Sequence, residues 1–357
     1  HRDAPFQALT IKSAAGGGRD MNIFDFHRTI LNTSADYLKK LAVFNPLTIH
    51  KKGTRSKAIF ALALVCFLWG TTWIASKEGV KHMPALQLAS IRQLIAGFLY
   101  VGFFLYKKIP LPKGKEWKPV LVLSFLNFIM SNGLSTLALR YEITAGLGAI
   151  IGAIFPLWIV VIGLFVSKEK MPTKAVIGML LGFAGVCVIF YDHLTDFLDP
   201  KFQLGIVFSI IATWTWAIAT LYTKQQAASY NPYFSLGLQM LISGICLTAF
   251  TTATGSAVPL SAIPWESWAA IAYLIIFGSL IAFICYLYAL QNLPTEQASL
   301  YAYVNPIVAV LCGWVVFGEK VTIFIIIGGL VTLLGVYLVN RAFKTVPTPE
   351  QPEAEGI

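Results

Sequence analysis

The sequence predicts an all-α membrane protein in which ten transmembrane helices form two inverted five-helix repeats. Three observations lead to this prediction. First, 57% of the residues are hydrophobic and only 12% are charged, about half the charged fraction of roughly 25% found in soluble domains. Second, ten apolar segments long enough to cross a bilayer follow one another along the chain. Third, a large part of the sequence is written twice, and a duplication of this size fixes the architecture.

The duplication is clearest in a motif made of a proline, an apolar run and a closing Glu-Lys pair. Residues 156–170 read PLWIVVIGLFVSKEK and residues 306–320 read PIVAVLCGWVVFGEK, so the two copies begin 150 residues apart. Further matches at offsets of 147 to 151 residues pair Trp69 with Trp216, Lys77 with Lys224, Ala138 with Ala289, Gly178 with Gly328 and Gly185 with Gly335.

Each apolar segment has about 18 to 23 residues, which is enough to cross a hydrocarbon core of about 30 Å at about 1.5 Å per residue. The predicted spans are residues 57–76, 84–106, 118–139, 143–167, 173–191, 203–223, 232–252, 267–290, 296–317 and 321–341. No cleavable signal peptide is expected before the first span, because no small-residue cleavage site follows that apolar run.

Four regions follow from these spans. Residues 1–56 are expected to be a basic cytoplasmic tail, and residues 57–191 the first five-helix repeat. Residues 203–341 are expected to be the second, inverted repeat, followed by a short cytoplasmic tail at 342–357. Apolar residues recur at helical spacing from Phe26 to Phe44, which fits either a helix on the membrane surface or a loosely ordered tail. Met21 is an alternative start of the chain, in which case residues 1–20 do not belong to the native protein.

The positive charges predict the orientation of the spans. Lysine and arginine are enriched in cytoplasmic loops of membrane proteins. With the amino terminus in the cytoplasm, 21 of these residues lie on the cytoplasmic side and 5 on the other side. Both termini are therefore expected in the cytoplasm. The net charge of +10 sits in short blocks between apolar segments, so it indicates membrane orientation and no nucleic-acid partner.

Five spans in each half make the repeat an inverted one, because an odd number of crossings starts the second half from the opposite side. Inverted repeats are a recurrent plan of secondary transporters, with the solute site between the halves near the middle of the membrane. One sequence in two orientations supports two arrangements of nearly equal energy, one open to each side.

The chain also resembles the EamA-type branch of the drug/metabolite transporter superfamily over residues 57–341. The motifs that carry the resemblance are Trp69-Gly70, Arg92, Pro156, Pro306, Glu169-Lys170 and Glu319-Lys320. It implies a multi-pass permease of the bacterial inner membrane, often an exporter of amino acids or other small metabolites, with a central cavity between the halves. Gln239 stands at the position that corresponds to Arg92, so any role of the arginine is not duplicated.

Two helical faces are candidate cavity walls. The first span places Trp69, Thr72, Trp73 and Ser76 on one face, and the sixth span places Trp216, Thr220 and Thr223 likewise. Hydroxyls with aromatic edges suit a cavity for an amphiphilic solute. The alternative is that the hydroxyls join helices and the tryptophans anchor at the membrane interface.

Arg92 is a charged side chain well inside a span, where arginine costs at least about 2.5 kcal/mol and usually faces the bundle interior. Its planar guanidinium suits a carboxylate or phosphate of the solute. A structural arginine bonded to helix carbonyls is the alternative.

Further candidates for the cavity are polar residues of the third, seventh and ninth spans and the prolines that free backbone carbonyls. They are Asn127, Ser131, Gln239, Tyr301, Tyr303, Asn305, Pro156 and Pro306. The prolines are equally compatible with simple packing kinks. The glycines of the fifth and tenth spans are expected to allow close helix packing.

No catalytic, metal-binding or cofactor-binding pattern accompanies these residues, and the five cysteines lack CxxC spacing. The expected partners are a small-molecule solute and the lipid bilayer, while the oligomeric state stays open. A non-transporting scaffold or sensor, or an intramembrane enzyme, are the alternatives to a transporter. Glu296, at the cytoplasmic mouth of the ninth span, is the nearest candidate for proton coupling.

Overall fold

The structure is a computed structural model that describes residues 10–11, 21–22, 53–141, 145–166, 171–226, 231–317 and 321–344. The chain divides into two units, His1–Lys51 and Lys52–Ile357. In the first unit, strands β1 (Thr10–Ile11) and β2 (Met21–Asn22) pair antiparallel. The apolar stretch at 26–44 lies outside the described residues.

The second unit is helical. Its helices are α1 (Arg55–Gly79), α2 (Ala85–Tyr106), α3 (Gly114–Tyr141), α4 (Ala145–Ala153), α5 (Phe155–Val166), α6 (Thr173–Ile189), α7 (Gln203–Gln226), α8 (Pro232–Ala253), α9 (Trp265–Asn292), α10 (Thr295–Ala298), α11 (Tyr301–Phe317) and α12 (Ile323–Lys344). Short 3-10 turns at Tyr191–Leu198, Pro200–Phe202 and Leu260–Ala262 lie in the connections.

Within the described ranges, seven of these helices are long and apolar enough to cross a membrane. The fourth predicted span is formed by the two short helices α4 and α5. The fifth span is α6 and the ninth is α11, each with 17 residues. The first and last helices meet at one end of the bundle, where Nη1 of Arg55 donates to the carbonyl of Phe343 at 3.1 Å. An even number of crossings brings the chain back to the side where it began, as the ten predicted spans require.

The helix contacts are symmetric between the halves. Helix α1 packs on α9 and α11, and its counterpart α7 packs on α3 and on α4 with α5. Helix α2 packs on its own counterpart α8, and α6 on its counterpart α12. Exchanging the two halves therefore reproduces the same set of contacts, and the prediction of an all-α fold with two inverted repeats is confirmed.

Glycines allow the two self-paired crossings. A Cβ atom added at Gly97 would lie 2.5 Å from the backbone nitrogen of Leu241, and one at Gly244 would lie 2.8 Å from that of Leu94. The two contacts are reciprocal at the repeat offset. At the α6–α12 crossing, a Cβ at Gly335 would lie 2.5 Å from the carbonyl of Gly178. The expectation that the glycines of the fifth and tenth spans allow close packing is confirmed there.

Pro156 and Pro306, the equivalent prolines of the two repeats, occupy different positions in their helices. The predicted span 143–167 is interrupted at Ile154, and Pro156 lies in the first turn of α5. Its missing N–H costs nothing in a first helical turn. The carbonyl of Ile154 accepts from the backbone nitrogens of Leu157 and Trp158, at 2.9 and 3.1 Å. Pro306 instead lies inside α11.

Both halves contain a π-helical segment at the same place. Ser124–Gly133 in α3 and Leu274–Ile281 in α9 are π-helical, and their first residues are 150 positions apart. Such segments are rare and are frequent at functional sites. Phe128 of the first segment contacts Phe283, and Gly278 of the second accepts a hydrogen bond from Trp69, so both segments touch the aromatic residues described next.

Candidate solute cavity

A partly open cavity lies among α3, α7, α8 and α9. Its mouth is formed by residues at helix ends, including Glu116 and Pro232. Asn127 lies about 15 Å deeper than Glu116 along α3. The lining residues are Glu116, Pro119, Val120, Leu123, Asn127, Trp216, Thr220, Thr223, Gln226, Pro232, Ser235, Leu236, Gln239, Phe283, Tyr286 and Leu287.

Five aromatic side chains form a cluster at the deep end of this cavity. The ring of Trp69 lies 4.8 Å from that of Tyr301, 5.1 Å from those of Phe283 and Tyr286, and 5.9 Å from that of Trp216. These distances are within the range of favourable aromatic pairs. The aromatic cluster brings together residues from α1, α7, α9 and α11, so both halves contribute to it.

Hydrogen bonds fix the rings at the cavity wall. The indole nitrogen of Trp216 donates to the hydroxyl of Tyr301 at 2.6 Å. The hydroxyls of Thr220 and Tyr286 lie 2.8 Å apart. Three of the predicted cavity residues, Trp216, Thr220 and Tyr301, thus meet at one place. Trp216 and Thr220 line the cavity, whereas Tyr301 supports Trp216 from behind.

The opposite wall has a chain of neutral polar groups, which we term the amide relay. Nδ2 of Asn127 donates to Oε1 of Gln239 at 3.0 Å, and Nε2 of Gln239 donates to Oγ of Ser235 at 3.0 Å. Asn127 is 6% and Gln239 3% exposed, so both amides are held in place where water is scarce. The sequence singled out Asn127 and Gln239, and the structure places both on the cavity wall.

Beside the aromatic cluster, near the middle of α9, the halves are also in contact. The indole nitrogen of Trp69 donates to the carbonyl of Gly278 at 3.1 Å. Nε of Arg92 donates to Oγ of Ser279 at 2.7 Å, and the hydroxyl of Tyr100 donates to the carbonyl of Leu280 at 3.0 Å. All three acceptors belong to the π-helical segment of α9. Arg92 is absent from the cavity lining, and its hydrogen-bond acceptor is the side chain of Ser279.

Several other predicted site residues also lie away from the cavity lining. Trp73 is 39% exposed. Tyr303 is fully buried, and its hydroxyl donates to the carbonyl of Met179 at 2.8 Å, so it joins α11 to α6. The hydroxyl of Thr72 donates to the carbonyl of Trp69 in its own helix. Ser131 is buried and Ser76 half-buried, and neither lines the cavity.

Asn305 ties the ninth span to the first. Its side-chain amide, with the nitrogen facing the carbonyls of Cys66 and Tyr301, donates to them at 2.9 and 3.0 Å. A Cβ added at Gly70 would lie 2.7 Å from Cβ of Val308, so α1 and α11 approach closely just beyond this amide. Asn305 therefore holds the helix that carries Tyr301.

Acidic groups are few at the cavity. Glu116 is the charged side chain among the lining residues that the structure describes, and its Oε2 accepts from the backbone nitrogen of Lys113 at 2.6 Å. Glu296 is half-buried in α10 and does not line the cavity. Across the described ranges, no group of three or more His, Cys, Asp and Glu side chains is placed to hold a metal ion.

Phe283, Tyr286 and Ser235 line the cavity although the sequence did not indicate them. The duplication contains a signal for two of them, because Phe283 and Tyr286 stand 151 residues after Asn132 and Ser135. These positions share the polar part of α3. Applying the repeat offset to these polar residues would have predicted that α9 lines the cavity.

Comparisons with known proteins agree with this architecture. A family model described as the EamA-like transporter family matches residues 56–191 and 203–341. An "Uncharacterized transporter" of Archaeoglobus fulgidus is 30% identical over 287 residues, which cover 79% of this chain and 97% of that protein. The "Uncharacterized inner membrane transporter YedA" of Escherichia coli (strain K12) is 29% identical over 266 residues, covering 74% of this chain and 83% of that protein.

A solved crystal structure of another protein has the same fold. It matches with a TM-score of 0.68 at 17% sequence identity, and covers 82% of this chain and 100% of that one. The family model matches both halves, and the two matched ranges together cover most of the chain. The protein belongs to the EamA-like transporter family.

Proposed function

We propose that this membrane transporter is a secondary exporter of small organic solutes, namely amino acids or related amphiphilic metabolites, that works by alternating access. The main support is that the two halves share a sequence plan and the same helix pairs, while their equivalent tryptophans make different hydrogen bonds. Trp69 donates to the π-helical segment of α9. Its counterpart Trp216 donates to Tyr301 instead, and lines an open cavity together with Asn127 of the π-helical segment in α3.

In this proposal the two halves exchange their contacts during transport. The contact made by Trp69, Arg92 and Tyr100 opens, and the cavity lined by Trp216 and Asn127 closes. Because the helix contacts of the halves are equivalent, the two arrangements are close in energy, and solute binding shifts the population between them. The aromatic cluster stays between the two ends as the barrier.

The loop charges support the proposed orientation of the cavity. The cavity mouth lies at the end of the bundle that holds Lys107, Lys113 and Lys224, which the excess of positive charge assigns to the cytoplasm. A solute from the cytoplasm thus enters the cavity directly, as an exporter of the bacterial inner membrane requires. Both chain termini lie on this side in the proposal.

Solute flux in proteoliposomes tests the function. Purified protein is reconstituted and the vesicles are loaded with radiolabelled amino acids and neutral aromatic metabolites, one at a time. We expect saturable efflux that exceeds protein-free vesicles at least tenfold for at least one solute. A scaffold or sensor would give no flux with any solute, and an enzyme would give a chemically altered product. Either result would overturn the proposal.

A further inference from the structure

We propose that the transported solute is an uncharged aromatic amphiphile, and that Asn127 and Ser235 select it through the amide relay. This inference rests on the proposed function and narrows its substrate class. A neutral amide or a nucleoside belongs to the class, whereas a free amino acid, with two charges, does not.

Charged side chains are scarce around the cavity. Among the lining residues that the structure describes, the charged one is Glu116, which lies at the mouth with its carboxylate bonded to a backbone N–H. Arg92 does not line the cavity and is bonded to Ser279. An ion in the deep cavity would lose water without gaining a counter-charge, which costs several kcal/mol per ion. A neutral solute avoids that cost.

The hydrogen bonds of the amide relay run in one direction, from Asn127 to Gln239 and from Gln239 to Ser235. Nδ2 of Asn127 and both polar atoms of the Gln239 amide are used within the relay. Over the described ranges, no hydrogen bond engages Oδ1 of Asn127 or the proton of the Ser235 hydroxyl. Both residues line the cavity. The relay thus offers the solute one acceptor at its Asn127 end and one donor at its Ser235 end.

Aromatic rings form the cavity wall opposite the relay. Trp216, Phe283 and Tyr286 supply lining surface, and Trp216 is less buried than the other two. Aromatic surface binds flat apolar groups, while a few fixed polar groups set orientation. The solute class therefore combines an aromatic body, at least one hydrogen-bond donor for Asn127 and at least one acceptor for Ser235.

A charge series on one aromatic body tests the inference. N-acetylphenylalaninamide is neutral, phenylalanine zwitterionic, N-acetylphenylalanine anionic and phenylalaninamide cationic at pH 7. We expect efflux of the neutral compound from proteoliposomes to exceed that of each charged compound at least tenfold. Equal or faster efflux of phenylalanine would overturn the inference and leave the proposed function standing. Absence of flux with a broader solute panel would instead overturn the proposed function.

Substitutions in the relay give a gain of function that a merely structural role would not produce. Asn127→Asp keeps the shape and adds a negative charge, so we expect phenylalaninamide efflux to rise at least fivefold relative to the neutral compound. Asn231→Asp adds the same charge at the N-cap of α8, outside the lining, and should leave the preference unchanged. Ser235→Ala should slow efflux of the neutral compound about fivefold. An unchanged charge preference in Asn127→Asp protein that folds and inserts normally would contradict the assignment of Asn127.

Discussion

The indole nitrogen of Trp69 donates to the carbonyl of Gly278 at 3.1 Å, and this bond joins the first helix of one half to the π-helical segment of the other. The acceptor lies beside Arg92, since a Cβ added at Gly278 would lie 3.1 Å from a guanidinium nitrogen of that arginine. The bond is therefore part of the contact between the two halves beside the aromatic cluster.

Loss of this bond should increase the population in which the contact between the two halves is open. Trp69→Phe keeps an aromatic ring but removes the donor, at a cost of about 1 kcal/mol, or about fivefold in the population of the open form. We expect a cysteine at Ser76, in protein without its five native cysteines, to react about fivefold faster with an impermeant maleimide. Trp73→Phe, on the exposed part of the same helix, should not change the rate. Equal rates in Trp69→Phe and its parent would contradict this role.

The pair Arg92 and Ser279 should contribute to stability. Hydrogen bonds to charged groups contribute about 1.5–3 kcal/mol, so Arg92→Gln and Ser279→Ala should each lower the free energy of unfolding. The double variant should lose less than the sum, because both changes remove one 2.7 Å bond. Unfolding in SDS measures the three values. If Arg92 binds an anionic solute instead, the KM for that solute rises in Arg92→Lys while stability holds.

Two glycines of the α6–α12 region should respond oppositely to alanine. A Cβ at Gly185 would lie 2.5 Å from the backbone nitrogen of Thr332, whereas Gly329 has nothing within 4 Å of its Cβ position. Gly185→Ala should therefore cost about 1–3 kcal/mol through overpacking. Gly329→Ala should gain up to about 1 kcal/mol from helix propensity. The melting temperature in detergent checks both signs, and a stabilised Gly185→Ala would show that the two helices do not cross this closely.

Reporter fusions test the orientation. Fusions after Lys344 and within the loop at Lys113 should both give a cytoplasmic signal, because positive charges accumulate on that side. A fusion in the loop at Ser256, which joins α8 to α9, serves as the control for the opposite side. A periplasmic signal at Lys113 or Lys344 would refute the proposed orientation.

Transport should depend little on a proton gradient. Carboxylates that trade protons in carriers lie within the membrane, whereas Glu116 lies at the cavity mouth and Glu296 is absent from the lining. We therefore expect solute-driven efflux to change less than twofold when a pH gradient is imposed, both in the parent and in Glu296→Gln. Strong acceleration by the gradient that disappears in Glu296→Gln would identify Glu296 as the coupling residue.

The sequence by itself determined the number of spans, the duplication and its inverted sense. Length and hydropathy suffice for these features, because a segment must be apolar over about 20 residues to cross the bilayer. The duplication also marked Trp69 and Trp216 as equivalent, and polar residues inside apolar spans marked Asn127 and Gln239. Such groups are costly in lipid, so their presence alone is informative.

Only the tertiary structure decided which faces meet. It left Trp73 exposed and buried Tyr303 against α6, although the sequence predicts both for the cavity wall. It also placed Phe283 and Tyr286 at the cavity wall. The reason is physical: lipid tails are as apolar as a helix interface, so hydropathy does not distinguish a ring that faces lipid from one that faces the cavity. Helix rotation decides this, and here it depends on glycine crossings and on π-helical segments that depart from the 3.6-residue period.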